Sequence, residues 1–318
     1  MKESEFIKKM LYNYDVTTLD VVNNGNILNK YTDKIYVINL EENKIRRNYI
    51  LTMMGKYGIS FTLVSVKKIN KADYDEYSKY KTNISIGELG CGLSHLYCLK
   101  NIIESKYQHA IIFEDDIIFH KDFEAKFCNI IQKRAYDFLL LGACDFHFSQ
   151  VNYKRVRSQL YRPHKNFEHV YGAHAIYYSL QGAQYMFDYR MNLFAFFDYD
   201  LHKVFSNFKN TSFICYPNLV VTELSTSDND HSYELFSKKE KTFYFKCFTN
   251  FNFKEYHFIY LNLQEPSSLQ MFTTYKEYIC HFFEKKYNDK KDCLKKFINR
   301  IDFDFFSWED IQNICRNI

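Results

Sequence analysis

Apolar and polar positions along the chain fall into blocks of two kinds, short runs of strand length and longer stretches of helical period. Lys34 to Leu40 (KIYVINL) is a near-continuous apolar run of strand length. Glu42 to Tyr57 has helical character and stops near Gly58, and Phe61 to Ile69 is extended again, so the pattern predicts a β-α-β start. Ser85-Ile86-Gly87-Glu88 has the spacing of a capping box, in which the serine caps the third helical amide and the glutamate reaches back, and it predicts a helix to about Ser105. His109 to Phe113 (HAIIF) and Phe138 to Cys144 (FLLLGAC) read as buried strands. Val170 to Ser179 is expected as a strand, Leu180 to Arg190 as a helix, Asp198 to Phe208 as a helix and Thr211 to Val221 as a strand, followed by a polar loop over Thr222 to Ser232.

This alternation predicts an α/β fold: a mixed, mainly parallel sheet flanked by helices, for which ligands bind beyond the carboxyl ends of the strands. Residues 1 to 30, polar and Asn-rich around Asn23, Asn24 and Asn26, read as an N-terminal arm made of a helix and a turn. From Glu234 the character changes to Phe, Tyr and Lys in helical or irregular patterns, so residues 234–318 are expected to form a mostly helical C-terminal subdomain. Its paired lysines, Lys285-Lys286, Lys290-Lys291 and Lys295-Lys296, read as a solvated helix face. Its aromatic surface suggests a homodimer.

Composition narrows the classes. Of 318 residues, 47% are hydrophobic and 19% aromatic, which excludes a disordered chain. Forty-two basic and 38 acidic side chains are interspersed, unlike the concentrated basic footprint of a nucleic-acid binder. No run approaches the roughly 18 apolar residues of a transmembrane helix, and the start lacks a signal-peptide core, so a cytoplasmic protein is expected. Nine cysteines without a CxxC pair fit reduced, buried thiols.

The sharpest local signal is IIFEDDII at residues 111–118. Three consecutive carboxylates between apolar strand residues cannot be buried without partners. A hard divalent cation, Mg²⁺ or Mn²⁺, supplies one, because it takes oxygen ligands and commonly uses one or two carboxylates plus substrate phosphates. In extended geometry Glu114 and Asp116 would share a face as an acid-x-acid clamp, with Asp115 on the other. The plainer alternative has the acids capping the next segment or pairing with Lys and Arg.

Several ordered segments carry a resemblance to glycosyltransferase family 25, the group containing lipooligosaccharide and collagen hydroxylysine galactosyltransferases. Tyr36-Val37-Ile38-Asn39-Leu40 with Arg46 resembles the family's opening strand and arginine. Gly87 to His95 (GELGCGLSH) resembles its GE-x-GC-x-x-SH signature, and Ile112 to Asp116 its hydrophobic-EDD strand. Gly172-Ala173-His174-Ala175 through Ser179 with Gly182-Ala183, then Asp198 through Leu201, then Pro217 with Ser227-Asp228, are weaker matches. Phe197 stands where the family pattern carries proline, and nothing after Ser232 aligns.

The resemblance implies a GT-A-type fold over residues 31–233, a UDP-sugar donor, a divalent metal and inversion at the anomeric carbon. It implies metal ligation by Glu114 and Asp116. Donor contacts would come from Asn39, Leu40, Arg46, Glu88, Glu114 and Asp115. His231 in the polar loop is a candidate third ligand, against the ordinary reading of a solvated loop histidine, and Arg46 reads evenly as a phosphate or ribose contact or as the partner of an acid. Asp198 is the first choice as base toward the acceptor, a glycan or a protein side chain, and Asp228 the second. Several of these residues also have ordinary readings. Cys91 and His95, four apart on one helical face, read as core packing with a hydrogen bond, and Glu88 as a capping-box partner. Competing functions are a nucleotidyltransferase, which lacks its usual Gly-rich phosphate loop in Asn39 to Arg47, and a noncatalytic descendant, which has no chemical reason to retain Glu114, Asp115 and Asp116.

Overall fold

The computed structural model describes residues 2–80, 84–143, 145–146, 160–161, 170–192, 197–198, 201–215 and 218–222. The chain opens with α1 (Glu3–Tyr12), β1 (Val16–Val21), α2 (Ile27–Tyr31), β2 (Lys34–Leu40), α3 (Lys44–Lys56) and β3 (Phe61–Val66). It continues through α4 (Lys71–Tyr77), α5 (Ile86–Glu104), β4 (His109–Glu114), β5 (Ile117–Phe119), α6 (Phe123–Ile131) and β6 (Phe138–Leu140). Two-residue strands follow, β7 (Asp145–Phe146), β8 (Leu160–Tyr161) and β9 (Val170–Tyr171), then β10 (Ala175–Ser179), α7 (Leu180–Asn192), α8 (Leu201–Asn207), β11 (Ser212–Cys215) and β12 (Val220–Thr222).

The main sheet has eight strands in the order β1-β3-β2-β4-β10-β6-β11-β8. β2, β3, β4, β6 and β11 run one way, while β1, β10 and β8 run against them. The expected sheet is therefore present, with an antiparallel strand inserted at its centre. Strand alternation divides the core between the two faces. Ile35, Val37, Leu63, Ile111 and Phe113 pack with Ile50, Met53 and Met54 of α3 and with Phe123 and Phe127 of α6. Behind the other face, Leu89, Leu93 and Leu96 of α5 pack on Phe6, Ile7, Met10 and Leu11 of α1.

Residues 1–30 are not an arm ahead of the fold. β1 pairs along its whole length with β3, and the buried stripe of α1 closes the core over α5. The asparagines that read as a polar turn stitch this segment down. Asn23 Nδ2 donates to Ile59 O (2.7 Å), and Asn26 caps α2 while its amide also reaches Tyr57 O (2.6 Å) and Glu124. Side-chain amides that satisfy backbone groups across a seam make a polar sequence structural.

Two expected strands are broken in ways that build the site. The segment Val170 to Ser179 divides into β9 and β10 because Gly172 sits at φ +126°, a conformation open to glycine and strained for other residues. The segment Thr211 to Val221 divides into β11, in the main sheet, and β12, which leaves it to pair with β5. β12 passes so close to Gly142 that a Cβ there would lie 1.8 Å from Val220 O and 3.0 Å from His174 Nε2. The C-terminal region 234–318 and its paired lysines lie outside the described residues, as do Pro217 and the loop carrying Asp228 and His231.

Gly142→Ala is therefore expected to push β12 off the sheet. The cost of such overpacking is about 1–3 kcal/mol or more, read as a lowered urea midpoint with unchanged m-value; wild-type stability would mean that the backbone approach is not tight.

Candidate active site

β2 and β4 are parallel neighbours, and the register Ile38↔Glu114 brings both carboxyl ends to one edge of the sheet. Here β4 ends at Glu114, and Asp115-Asp116 form a turn into β5. The acid-x-acid alternation expected for an extended chain is thus absent. Asp115 and Asp116 both pair with Arg46, while Glu114 contacts His95 and Cys91 of α5 and stays within electrostatic reach of both aspartates.

Arg46 projects from the first turn of α3, where Asn43 caps the helix and accepts from Arg46 N (3.1 Å). Its guanidinium donates to Asp115 Oδ1 (3.1 Å) through one nitrogen and pairs with Asp116 Oδ2 (3.2 Å) through the other. All three side chains are at most 10% exposed. Asn39 Nδ2, at the end of β2, donates to Asp115 Oδ2 (2.6 Å), and Thr222 of β12 lies beside Asp116. Tyr49 donates to Ile117 O (2.7 Å) and pins the chain just past the turn.

On the other side, His95 Nε2 lies 3.1 Å and Cys91 Sγ 3.7 Å from Glu114 Oε1. Cys91 and His95 do pack on one helical face as their spacing predicts, but their shared partner is a carboxylate of the acidic cluster. His95 also stacks on Phe197, with ring centroids 4.1 Å apart. That stacking holds Asp198, whose Oδ2 accepts from Gly172 N (2.8 Å). The buried guanidinium of Arg190 lies over the Phe197 ring and within electrostatic reach of Asp198.

Burial dominates the electrostatics here. It pushes the Asp115 carboxyl up to about 7, the pull of Arg46 and Asn39 being outweighed by burial and the neighbouring acids. Asp116 rises for the same reason, against the pull of Arg46 and Thr222. Glu114 goes the other way. Burial would raise it, but the His95 hydrogen bond and the charges of His95, His174 and Arg46 hold it below the ordinary carboxylate range. Burial also raises Asp198, offset in part by the Gly172 N–H, and lowers His174.

Of the residues singled out from sequence, the fold gathers Asn39, Arg46, Glu114, Asp115, Asp116 and Asp198. Leu40 ends β2 beside them. Glu88 is half-buried in the first turn of α5, its Oε2 accepting from Ser85 N (2.7 Å), so the capping box forms as read. Asp228 and His231 lie outside the described residues, and the described chain stops at Thr222, opposite Ile117 and next to Asp116. Reading the chain missed His174, Thr222 and Arg190. His174 sits within the quoted GAHA segment, whose carbonyl accepts from Glu114 N (2.9 Å), and was a visible signal. Arg190 carried none, being one more basic residue at the end of a helix.

A family model described as glycosyltransferase family 25 (LPS biosynthesis protein) matches residues 32–202. Procollagen galactosyltransferase 2 of Mus musculus is 27% identical over 126 residues, and that of Homo sapiens 27% over 125; each match covers 33% of this chain and 20% of the relative. A glycosyltransferase 25 family member of Aedes aegypti is 26% identical over 112 residues, covering 30% of this chain and 18% of that protein. The match thus spans about a fifth of the length of these curated relatives. Among the described residues no helix is long and apolar enough to cross a membrane.

Arg46→Met leaves two buried carboxylates without their guanidinium, a change expected to cost about 3–5 kcal/mol near pH 8. The loss shrinks toward pH 5. Carboxyls whose folded pKa is raised destabilise the fold as pH climbs past their unfolded value, so protonation relieves the variant. Urea denaturation at the two pH values checks this, and an equal loss at both would contradict it.

Proposed function

This chain belongs to glycosyltransferase family 25, and we propose that it is a metal-dependent, inverting transferase that moves a hexose from a UDP-sugar to a hydroxyl of a glycan or of a hydroxylated protein side chain. Galactose is the preferred hexose, after the names of the curated relatives, with glucose the other candidate. The observation that carries the reading is the convergence of Glu114, Asp115, Asp116 and Asp198 at the carboxyl edge of parallel strands, the place where α/β sheets bind ligands. A GT-A reading agrees with that placement, and membership of a glycosyltransferase family leaves the nucleotidyltransferase alternative without support.

The residues present fit a divalent cation. Four carboxyl groups meet two guanidinium groups, Arg46 and Arg190, so the acids outnumber their cations, and Asp115, Asp116 and Asp198 are raised where a bound cation would favour their ionised forms. Among the described residues Asp116 Oδ1 is buried with no hydrogen-bond partner, and Glu114 engages His95 and Cys91 through Oε1 alone of its two oxygens. Glu114 and Asp116 would hold Mn²⁺ or Mg²⁺ as hard oxygen donors, with His231 a further ligand. When bound, the ion supplies a Lewis acid against the departing diphosphate.

The chain's own residues do the rest. Asn39, Arg46 and Asp115 form a preorganised hydrogen-bonded set beside Leu40 that would take the nucleoside, with Glu88 nearby in the first turn of α5. Inversion is one displacement: the acceptor oxygen bonds to the anomeric carbon as the bond to the diphosphate breaks, and the acceptor proton passes to a carboxylate. Asp198 serves as that base. Gly172 N–H fixes one of its oxygens, and burial makes it a stronger base than a solvated aspartate. Asp228 is the second candidate.

Calorimetric titration of UDP into metal-stripped protein should show binding with Mn²⁺ present, little without it, and none in Asp116→Ala; UDP binding that ignores both changes would sink the diphosphate-metal reading. Asp198→Asn should lower kcat by roughly 10²–10⁴-fold with donor KM little changed. Because the base works deprotonated, the wild-type rate should rise with pH through a carboxyl pKa above the ordinary aspartate range. The same acid limb persisting in Asp198→Asn would move the role elsewhere.

A further inference from the structure

The oxygen donors are not the only metal ligands gathered at this edge of the sheet. Cys91 Sγ, His95 Nε2 and Glu114 Oε1 all lie within 4.8 Å of one another. Zinc bound tetrahedrally at 2.0–2.3 Å to sulfur, nitrogen and oxygen sets its ligand atoms about 3.3–3.6 Å apart. The two edges that meet at Glu114, 3.1 Å to His95 and 3.7 Å to Cys91, already bracket that range. The third is spanned by two side chains one turn apart on α5, the i,i+4 spacing by which a helix offers two ligands to one ion. The Glu114 side chain is 27% exposed, so solvent reaches this edge of the cluster.

We propose that Cys91, His95 and Glu114 form a thiophilic metal site that takes Zn²⁺. Its donor set differs in kind from Glu114 and Asp116. Thiolate and imidazole select zinc over Mg²⁺ and Mn²⁺, which favour carboxylate and water. Binding exchanges the Glu114–His95 and Glu114–Cys91 hydrogen bonds for metal bonds; the thiol proton leaves to solvent, and the proton that His95 Nε2 shares with Glu114 gives way to the tautomer protonated at Nδ1, so that a neutral imidazole ligates through Nε2. Taken with the function proposed above, the two sites share Glu114, so zinc held by α5 withdraws a ligand from the donor-side cation and inhibits transfer. That consequence rests on the proposed function; the zinc site itself does not.

Co²⁺ serves as the spectroscopic probe in the full-length chain. Wild type should show a thiolate-to-cobalt charge-transfer band that added Zn²⁺ abolishes. Cys91→Ser should lose the band and bind Zn²⁺ on the order of 100-fold more weakly, a lost ligand costing at least what a lost supporting contact does. Asp116→Ala should keep the band while losing Mn²⁺-dependent UDP binding, which separates failure of one site from failure of the other. No band, or a band surviving Cys91→Ser, overturns the zinc site. Wild type alone gives a second test should the variant not fold. Zn²⁺, and not Mg²⁺, should slow peptide-resolved alkylation of Cys91 by tenfold or more, and equal rates with both ions overturn the proposal.

Discussion

Negative charge concentrated at the buried end of one strand is the constraint around which the rest of this fold is arranged. Removing an ion from water costs several kcal/mol even after relaxation, and Glu114, Asp115 and Asp116 follow one another with little exposed surface among them. The chain answers by bringing partners from distant segments. Arg46 comes from the first turn of α3, Asn39 from the end of β2, His95 and Cys91 from α5, and Thr222 from β12. Each partner settles part of the charge.

Sheet topology makes the gathering possible. Parallel pairing of β2 with β4 sends both carboxyl ends, and the N-terminus of α3, to the same edge. The antiparallel β10, inserted against β4, places His174 next to Glu114. Two glycines shape the site: Gly172 turns the backbone so that its N–H meets Asp198, and Gly142 lets β12 cross within contact of His174. Phe197 then locks His95 to the segment carrying Asp198, by ring stacking where the family pattern has proline.

Much of this was legible along the chain wherever a strong local signal agreed with its surroundings. β2 follows its apolar run residue for residue, and Ser85 and Glu88 cap α5 as their spacing requires. The acidic triplet was marked as chemistry because nothing local explained it. The N-terminal segment misled because its polarity comes from asparagines that bond to backbone elsewhere, a role no local pattern reveals. Val170 to Ser179 has the pattern of one strand because alternation carries no sign of the positive φ at Gly172. Cys91 and His95 have the spacing of core packing with a hydrogen bond, and the partner of that bond, Glu114, is not legible from the spacing.

Which residues can be buried, where helices begin, and that three carboxylates at a strand end need company all follow from side-chain chemistry and spacing within one segment. Who that company is emerges only once the chain is folded. The guanidinium of Arg46 shared by Asp115 and Asp116, and the ring of Phe197 stacked on His95, join residues dozens of positions apart. Pairing across such distances depends on strand order and register, and those are settled by the whole core packing at once.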